Sequence, residues 1–241
     1  MKYVGSKAKH AKEILSIVLK DRKPNQIYVE PFVGGFNIID KVIGPRIAND
    51  SNIFLIALFR AVQNGWMPPD FVSEEEYREI KNNQTKYDPA MVGFVGFACS
   101  YAAKWFGGYA RGKNSKGEWR NYALESKKFL LKQVPAIKDV IIKYGSYLDL
   151  IIPDNSIVYC DPPYFGTTGY KDKINYEIFW DWVREISKKN TVYISEYNAP
   201  DDFICVWQKE ITNSLDNIAE NRNKIGIEKL FTLKKKIELT T

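Results

Sequence analysis

A short apolar run at residues 156–160 is followed at once by Asp161-Pro162-Pro163-Tyr164. The run is typical of a buried strand, because it is rich in β-branched and aromatic residues and is entered from Pro153-Asp154-Asn155. Two consecutive prolines fix the backbone and lack N–H groups, so the strand must end there. The sequence therefore predicts a carboxylate, Asp161, on a stiff turn at the carboxyl end of a buried strand.

The same four residues match one kind of ligand. The Asp161 carboxylate and the Pro162 carbonyl can each accept a hydrogen, and Tyr164 offers a flat ring. This set is complementary to a planar amine, such as the exocyclic amine of a nucleobase. The alternative is a strand that runs into a proline-stiffened turn without a chemical role, which is the better interpretation for Asp-Pro alone.

A second candidate site lies near the start of the chain. A strand at 26–30 precedes a turn containing Gly34 and Gly35, which is predicted to enter a helix through Ile38 and Ile39. Asp50 ends a second strand 16 residues after Gly34, close to the position of the ribose-binding acid in nucleotide-binding folds. Adjacent glycines depart from the dinucleotide fingerprint, so a cofactor with one nucleoside is favoured over NAD. A plain tight turn and a helix cap at Asp50 remain alternatives.

The stretch from residue 101 to residue 132 is basic and aromatic, with eight basic residues to two acidic ones. Its basic residues are Lys104, Arg111, Lys113, Lys116, Arg120, Lys127, Lys128 and Lys132. Interleaved with them are Trp105, Phe106, Tyr109, Trp119 and Tyr122. Together with the glycines at 107–117, this pattern predicts a loop or hairpin that contacts phosphates and inserts a ring between bases. A solvated run of charges is the alternative.

Composition limits the class of protein. The chain has 241 residues, 45% of them hydrophobic, which suits one α/β domain with an insertion. Three scattered cysteines form neither a metal-ligand spacing nor an even disulfide set, and the first residues lack a signal peptide. No uncharged stretch is long enough for a membrane span. We therefore expect a cytoplasmic protein without a metal, and its charge of +6 permits a polyanionic partner.

Periodicity predicts the remaining elements. Helices are expected from Ser6 to Leu19, at 52–65, after the Ser73 and Glu76 capping box, from Pro89 to near Trp105, and around 178–186. Strands are expected at 139–144, 191–195, 203–207 and 225–233, and exposed or flexible segments at 165–171 and 213–224.

Several motifs together carry a family resemblance. They are Lys2-Tyr3-Val4-Gly5-Ser6-Lys7, Glu30-Pro31-Phe32-Val33-Gly34-Gly35, Asn49-Asp50, the basic insertion, Asp161-Pro162-Pro163-Tyr164 and Ser195-Glu196-Tyr197-Asn198. In this order the chain resembles the Dam-like adenine-specific DNA methyltransferases over nearly its whole length. The resemblance implies a Rossmann-like α/β methyltransferase sheet with an antiparallel final strand and a mainly helical target-recognition insertion. We expect residues 1–58 and 136–241 to form the catalytic domain and residues 59–135 the insertion.

The resemblance also implies roles. S-adenosylmethionine would be the cofactor and double-stranded DNA the partner, with the target adenine flipped out of the helix. The cofactor residues would be Tyr3, Lys7, Phe32, Gly34, Gly35, Asp50, Ser146, Tyr147 and Asp161. The catalytic residues would be Asp161, Pro162, Pro163 and Tyr164. The DNA contacts would be Lys2, Tyr109, Arg111, Lys113, Lys116, Trp119 and Arg120.

Phe36 takes the last position of the family's usual Phe-x-Gly-x-Gly, so this turn departs from the pattern. Two other functions stay open at this point. One is methylation of RNA or of another amino group, and the other is nucleic-acid binding without catalysis. The sequence identifies neither the DNA site, nor an accompanying restriction enzyme, nor the oligomeric state.

Overall fold

The computed structural model describes residues 1–164, 174–212 and 225–234. These residues form an α/β fold with six α-helices and seven strands. The strands are β1 (Tyr28–Glu30), β2 (Arg46–Asp50), β3 (Ile141–Tyr144), β4 (Ile157–Cys160), β5 (Thr191–Ser195), β6 (Phe203–Thr212) and β7 (Ile225–Leu233). The helices are α1 (Ala11–Val18), α2 (Ile53–Gln63), α3 (Glu74–Asn82), α4 (Pro89–Gly93), α5 (Tyr122–Ile137) and α6 (Tyr176–Ser187). Among the helices described, none has the length and apolar character needed to cross a membrane.

The chain divides into two compact units, each described here by itself. The first consists of residues 1–12 and 31–151. In it β2 and β3 pair in parallel, with Ile47 opposite Ile141, and α2 packs against both α4 and α5. The core of this unit is apolar and aromatic, and the rings of Phe36 and Phe59 stack 3.9 Å apart at its centre.

The second unit consists of residues 13–30 and the described residues from 152 onward. Its strands follow the order β1-β4-β5-β7-β6, in which β1, β4 and β5 are parallel. Every residue of β4 is buried, as expected for a central parallel strand covered on both faces. Strand β7 runs antiparallel to β5, and β6 runs antiparallel to β7. The predicted antiparallel end of the sheet is thus confirmed.

The parallel strands and their crossover helices give the Rossmann-like α/β class expected of a methyltransferase sheet. In the second unit, β4, α6 and β5 form a β-α-β unit, because two parallel neighbours can be joined only by a crossover connection. Every strand predicted within the described residues is present. The predicted segments 165–171 and 213–224 lie outside the described residues.

Two helix predictions near the start of the chain need correction. The expected helix through Ile38 and Ile39 is only a short 3₁₀ turn, Ile39–Lys41. The cause is Phe36, whose φ of 59° turns the chain so that its ring enters the core against Phe59. The helix expected from Ser6 begins as a 3₁₀ turn, Lys7–Lys9, and becomes α-helical only at Ala11.

The helix predicted from Pro89 to near Trp105 is also wrong in its length. It is α-helical only over Pro89–Gly93 and continues as a π-helical turn, Phe94–Ala98. Ala102 and Ala103 then have positive φ, which no α-helix accommodates. The Ser100 hydroxyl donates to the Gly96 carbonyl at 2.8 Å, which supplies that carbonyl with a partner from outside the α-helical ladder.

Helix α5, Tyr122–Ile137, was not predicted. Its sequence was interpreted as part of the basic stretch, and Pro135 inside the helix lowers the local helical signal. The structure supplies a proper N-cap, since the Asn121 side chain accepts a hydrogen bond from the Leu124 amide at 3.0 Å. Helix α5 is therefore a defined part of the segment predicted to recognise DNA.

The close approach of α4 to α2 gives a test of stability. A Cβ on Gly93 would lie 2.2 Å from the backbone oxygen of Phe54, whereas one on Gly96 would meet only the Trp105 side chain, at 2.3 Å. A side chain can move aside more easily than a helix backbone. We expect Gly93→Ala to lower the free energy of unfolding by roughly 2–3 kcal/mol, and Gly96→Ala by less, as measured in urea. Equal losses in the two variants would contradict this packing.

Candidate active site

The Asp161-Pro162-Pro163-Tyr164 segment follows directly from β4, as predicted. Strand β4 lies between β1 and β5, with Val158 opposite both Val29 and Val192. This pairing fixes the point at which the segment leaves the sheet. Asp161 is half-buried and Pro162 is buried, so part of Asp161 stays accessible although the residue that follows it is enclosed.

Tyr164 is buried, and its position is set by two contacts in the second unit. Its hydroxyl donates to Oε2 of Glu228 on β7 at 2.8 Å, and its ring lies edge-on to Tyr197 at 4.7 Å. Burial, and then the nearby charges of Asp161 and Glu228, raise the pKa of Tyr164 well above its usual value. The phenol therefore stays protonated as a donor to Glu228. That its ring stacks on a bound base remains a prediction.

The Pro163 carbonyl is contacted by Tyr176, the first residue of α6. The Tyr176 hydroxyl shares its one hydrogen between that carbonyl, at 2.6 Å, and Oε2 of Glu196, which follows β5. Glu196 is 2% exposed, and its Oε1 accepts the Tyr197 amide at 2.7 Å. Tyr176 was not singled out from the sequence, and Glu196 was noted only as part of a motif.

Buried tyrosine–glutamate pairs recur in this unit. Besides Tyr164 with Glu228, the Tyr28 hydroxyl donates to Oε1 of Glu30 at 2.9 Å on β1, and the half-buried Tyr176 contacts the buried Glu196. A buried carboxylate is costly unless it is hydrogen-bonded, and a phenol is a suitable partner. The sequence holds one signal for such pairs, namely glutamates inside or directly after strongly apolar strands.

In the first unit, the Gly34 turn is attached to Asp50 at the end of β2. Gly34 has φ 49°, and its amide donates to Oδ2 of Asp50 at 3.0 Å. The other carboxylate oxygen of Asp50 accepts the Asn52 amide at 2.9 Å, where α2 begins. Burial raises the pKa of Asp50, and the amide hydrogen bonds oppose that shift. Asp50 thus has the helix-start contact that was the alternative interpretation, and a contact to the glycine turn as well.

Asn49, which sequence reasoning did not assign, links the two turns of this site. Its side-chain amide donates to the Pro31 carbonyl at 3.1 Å and to the Gly145 carbonyl at 3.0 Å. The turn after β1 and the turn after β3 are therefore held by one buried side chain. The signal for this role in the sequence is an asparagine directly before Asp50, at the end of an apolar strand.

The other predicted cofactor residues of the first unit lie around the same turns. The rings of Phe32 and Tyr147 are 5.0 Å apart, and Ser146 precedes Tyr147 on the turn after β3. Tyr3 lies against the glycine turn, because a Cβ on Gly35 would come within 2.7 Å of the Tyr3 Cβ. Lys7 is buried at 7% exposure, which is unusual for a lysine.

These residues fit a nucleoside with a short polar tail. The Asp50 carboxylate can accept ribose hydroxyls, the Phe32 and Tyr147 rings offer flat apolar surface, and the glycine turn allows close approach to the backbone. The absence of a longer glycine pattern agrees with a cofactor without a pyrophosphate. S-adenosylmethionine has these properties.

The basic segment of the first unit forms a hairpin. Lys113 and Trp119 pair across it, and the Asn114 side chain closes its turn by accepting the amides of Lys116 and Glu118 at 2.9 and 3.0 Å. Trp119 is 72% exposed, with the Lys113 ammonium 5.1 Å from its ring centre. The structure thus presents an exposed aromatic ring flanked by exposed lysines, Lys113 and Lys116.

Three of the predicted basic residues are engaged in ion pairs. Arg111 pairs with Glu74, Arg120 forms two hydrogen bonds to Glu125, and Lys127 pairs with Asp70 at 2.8 Å. Lys2 is exposed, with its ammonium 5.9 Å from the centre of the Phe129 ring.

A depression of about 180 Å³ lies beside the hairpin. It is lined mainly by Phe71, Val72, Tyr109, Trp119, Arg120 and Tyr122.

One family model matches part of the chain. Residues 3–95 match the model of the D12 class N6 adenine-specific DNA methyltransferases. No curated protein matches the chain. Searching the described residues for three or more clustered His, Cys, Asp or Glu side chains finds no group that could hold a metal ion.

Solved structures with similar folds have low sequence identity. The provisionally named methyltransferase yhhF from Escherichia coli has a TM-score of 0.39 and 10% identity, over 94% of this chain and 85% of that one. The tRNA (m1A58) methyltransferase TrmI from Aquifex aeolicus has a TM-score of 0.39 and 11% identity, and the match covers 93% of this chain and 69% of TrmI. SMU.472, provisionally named a methyltransferase and complexed with SAH, has a TM-score of 0.40 and 13% identity. The match covers 96% of this chain and 53% of SMU.472.

Proposed function

We propose that this chain is a D12 class N6 adenine-specific DNA methyltransferase, the family whose model matches residues 3–95. The enzyme transfers a methyl group from S-adenosylmethionine to the N6 amine of adenine in DNA. The observation that supports the mechanism most directly is the Asp161-Pro162-Pro163-Tyr164 segment, attached to the carboxyl end of a buried central strand. A half-buried carboxylate on an enclosed backbone is suited to hold an amine in one orientation.

The N6 amine is a weak nucleophile, because its lone pair is delocalised into the purine ring. In our proposal one N–H donates to the Asp161 carboxylate and the other to the Pro162 carbonyl. These two acceptors favour a tetrahedral nitrogen with its lone pair free for attack, and they are oriented before the reaction begins. S-adenosylmethionine, when bound, supplies a methyl group already activated on a positively charged sulfur. The chain therefore has only to position the amine through its two N–H hydrogen bonds. As the N–C bond forms the C–S bond breaks, and one of the two amine protons then leaves the methylated nitrogen.

The first unit would hold the cofactor. Asp50 accepts the ribose hydroxyls, Phe32, Ser146 and Tyr147 border the adenine ring, and Gly34 with Gly35 line the cofactor. Tyr3 and Lys7 border its methionine end. Asn49 keeps the turns that carry these groups in register, because it bonds a carbonyl in each.

We propose double-stranded DNA as the substrate form. Because N6 cannot be reached inside a duplex, the base must leave the helix, and Tyr164 would then stack on it. The exposed hairpin, with Lys113, Lys116 and Trp119, would contact phosphates and fill the gap. Lys2, Tyr109, Arg111 and Arg120 complete the proposed DNA-contacting set, in which Arg111 and Arg120 would exchange their ion pairs for phosphates or bases. Residues 59–135 would be the recognition insertion of a catalytic domain that acts in the cytoplasm.

One experiment tests this function against its rivals. The purified protein is incubated with labelled S-adenosylmethionine and with unmodified DNA duplex, single-stranded DNA and RNA of the same sequences, and modified bases are then mapped. We expect N6-methyladenine in the duplex. Label appearing only in RNA would favour the other amino-group substrate, and binding without label in any arm would favour a protein that binds without catalysis.

Salt dependence tests the hairpin. If Lys113 and Lys116 each contact a phosphate, Lys113→Ala or Lys116→Ala should each reduce the slope of log affinity against log salt by about 0.9. Lys138→Ala, an exposed lysine at the end of α5, is the matched control and should leave the slope unchanged. Fluorescence anisotropy of a labelled duplex measures the slope. Equal slopes in all four proteins would exclude these lysines from the interface.

A further inference from the structure

The Asp161–Tyr164 segment has few backbone donors with which to fix its position. Pro162 and Pro163 lack N–H groups, so only Asp161 and Tyr164 of this stretch can donate an amide hydrogen bond. Its position therefore depends on its carbonyls and side chains. The Tyr164 hydroxyl is held by Glu228, and the Pro163 carbonyl is contacted by Tyr176 at 2.6 Å.

Tyr176 is itself well fixed. It begins α6, and the Asn175 side chain caps this helix by accepting the amides of Glu177 and Ile178 at 3.0 and 3.2 Å. A residue in the first turn of a capped helix has a defined backbone, so its hydroxyl is presented from a rigid element. The Tyr176 ring also packs against the fully buried Phe179, with centres 5.9 Å apart.

Glu196 orients the other side of this hydroxyl. It is 2% exposed, and one of its carboxylate oxygens takes the Tyr197 amide at 2.7 Å while the other bonds Tyr176. A buried carboxyl group with two such contacts has little rotational freedom. The single hydrogen of the Tyr176 hydroxyl is shared between the Pro163 carbonyl and Oε2 of Glu196, so these three groups form one hydrogen-bonded cluster in the second unit.

We propose that Tyr176 and Glu196 are a positioning pair for methyl transfer. By holding the Pro163 carbonyl, they keep the Asp161 carboxylate and the Pro162 carbonyl in the orientation that the target amine requires. Neither residue need touch substrate or cofactor. This inference rests on the proposed roles of Asp161 and Pro162, and it assigns a function to Glu196 of the Ser195-Glu196-Tyr197-Asn198 motif.

The main test is Tyr176→Phe. The ring and its packing are retained and the hydroxyl is lost, so the segment should shift by a fraction of an ångström. Because a displacement of about 1 Å can cost roughly 10²-fold in rate, we expect the single-turnover methyl-transfer rate to fall about ten-fold. Affinities for S-adenosylmethionine and DNA should stay within about two-fold of wild type, since the loss arises as the reacting groups align.

Tyr28→Phe is the matched control. It removes a tyrosine–glutamate hydrogen bond in the same unit that is buried at least as deeply, since Tyr28 is 0% exposed and Tyr176 is half-buried. A general loss of stability would affect both variants alike, whereas loss of positioning affects only Tyr176→Phe. If Tyr28→Phe slows methyl transfer as much as Tyr176→Phe does, or if Tyr176→Phe stays within about two-fold of wild type, the proposal is wrong.

Glu196 offers a conservative rescue. Glutamine has the same length and can still bond both the Tyr176 hydroxyl and the Tyr197 amide, whereas alanine can do neither. We expect Glu196→Gln to keep the rate within about three-fold of wild type and Glu196→Ala to lose about ten-fold, with cofactor affinity retained in both. Equal rates in the two variants would show that the hydrogen bonds of this side chain do not act on the reaction.

Amide hydrogen exchange keeps the test independent of the proposed reaction. In a peptide spanning residues 157–164, exchange should be faster in Tyr176→Phe than in wild type and unchanged in Tyr28→Phe. Unchanged exchange in Tyr176→Phe would show that the Tyr176 hydroxyl does not hold this segment in place. Wild-type protein that methylates no nucleic acid, while this exchange difference is present, would instead reject the proposed function and with it the catalytic purpose of the pair.

Discussion

Asp161→Ala is expected to remove most of the methyl-transfer rate while leaving both ligands bound. In the proposed mechanism the carboxylate accepts one hydrogen of the target amine, and this interaction strengthens as the nitrogen becomes tetrahedral. Loss of one preorganised hydrogen-bonding group of this kind typically costs ~10²–10³ in rate. Because Asp161 also orients the base, we expect at least this reduction, with affinities for S-adenosylmethionine and DNA near wild type.

The measurement is single-turnover transfer of labelled methyl to a duplex, with both affinities determined in parallel. Asp154→Ala is a suitable control, because Asp154 lies in the same unit but on the surface, 3.1 Å from Lys189. Such an exposed pair contributes little to stability. Methyl transfer by Asp161→Ala within a few-fold of the control would show that this carboxylate does not orient the amine.

The second large effect is expected at Asp50. Its carboxylate would accept the ribose hydroxyls, and each charge-assisted hydrogen bond contributes about 1.5–3 kcal/mol. Losing two of them in Asp50→Ala should weaken S-adenosylmethionine binding by at least ~10²-fold. Burial raises the pKa of Asp50, so affinity should also begin to fall, on acidification, at a pH above that expected for an ordinary aspartate.

Asp50 also holds the Gly34 amide, so the variant could weaken binding by deforming the turn. Calorimetry with S-adenosylhomocysteine and its 2′-deoxy and 3′-deoxy analogues separates these causes. Wild type should bind the deoxy analogues less tightly, and Asp50→Ala should bind all three ligands alike. A deoxy penalty that persists in Asp50→Ala would assign the ribose contact to another residue and leave Asp50 a structural role.

The sequence predicted the strands well, because their signal is local. The run before Asp161 and the run before Asp50 are short, β-branched and bounded by turn residues, and both are strands. Helix lengths in the first unit were predicted poorly. Phe36 adopts a positive φ to place its ring against Phe59, and no local rule gives such a conformation to a bulky residue. Packing in the core determines the backbone conformation of Phe36.

The residues of the candidate site likewise divide into those that the sequence indicates and those that it does not. Asp161 and Asp50 could be recognised because each stands at a strand end beside prolines or after a glycine turn. Asn49, Tyr176 and Glu228 could not, because each acts on a residue distant in sequence; Tyr164 and Glu228 are 64 positions apart. Such partners become visible only when the strands are placed side by side. Positioning residues are therefore the part of a site that a single sequence reveals least.

The hairpin at residues 112–120 is closed by its own backbone and by Asn114, and its Trp119 ring points into solvent. Side chains at 113, 116 and 119 thus contribute little to the apolar core, and their replacement should leave the free energy of folding nearly unchanged. In the proposed complex these side chains meet phosphates and fill the gap left by the flipped base. Affinity for DNA can therefore be raised or lowered at these three positions without compensating changes in the core.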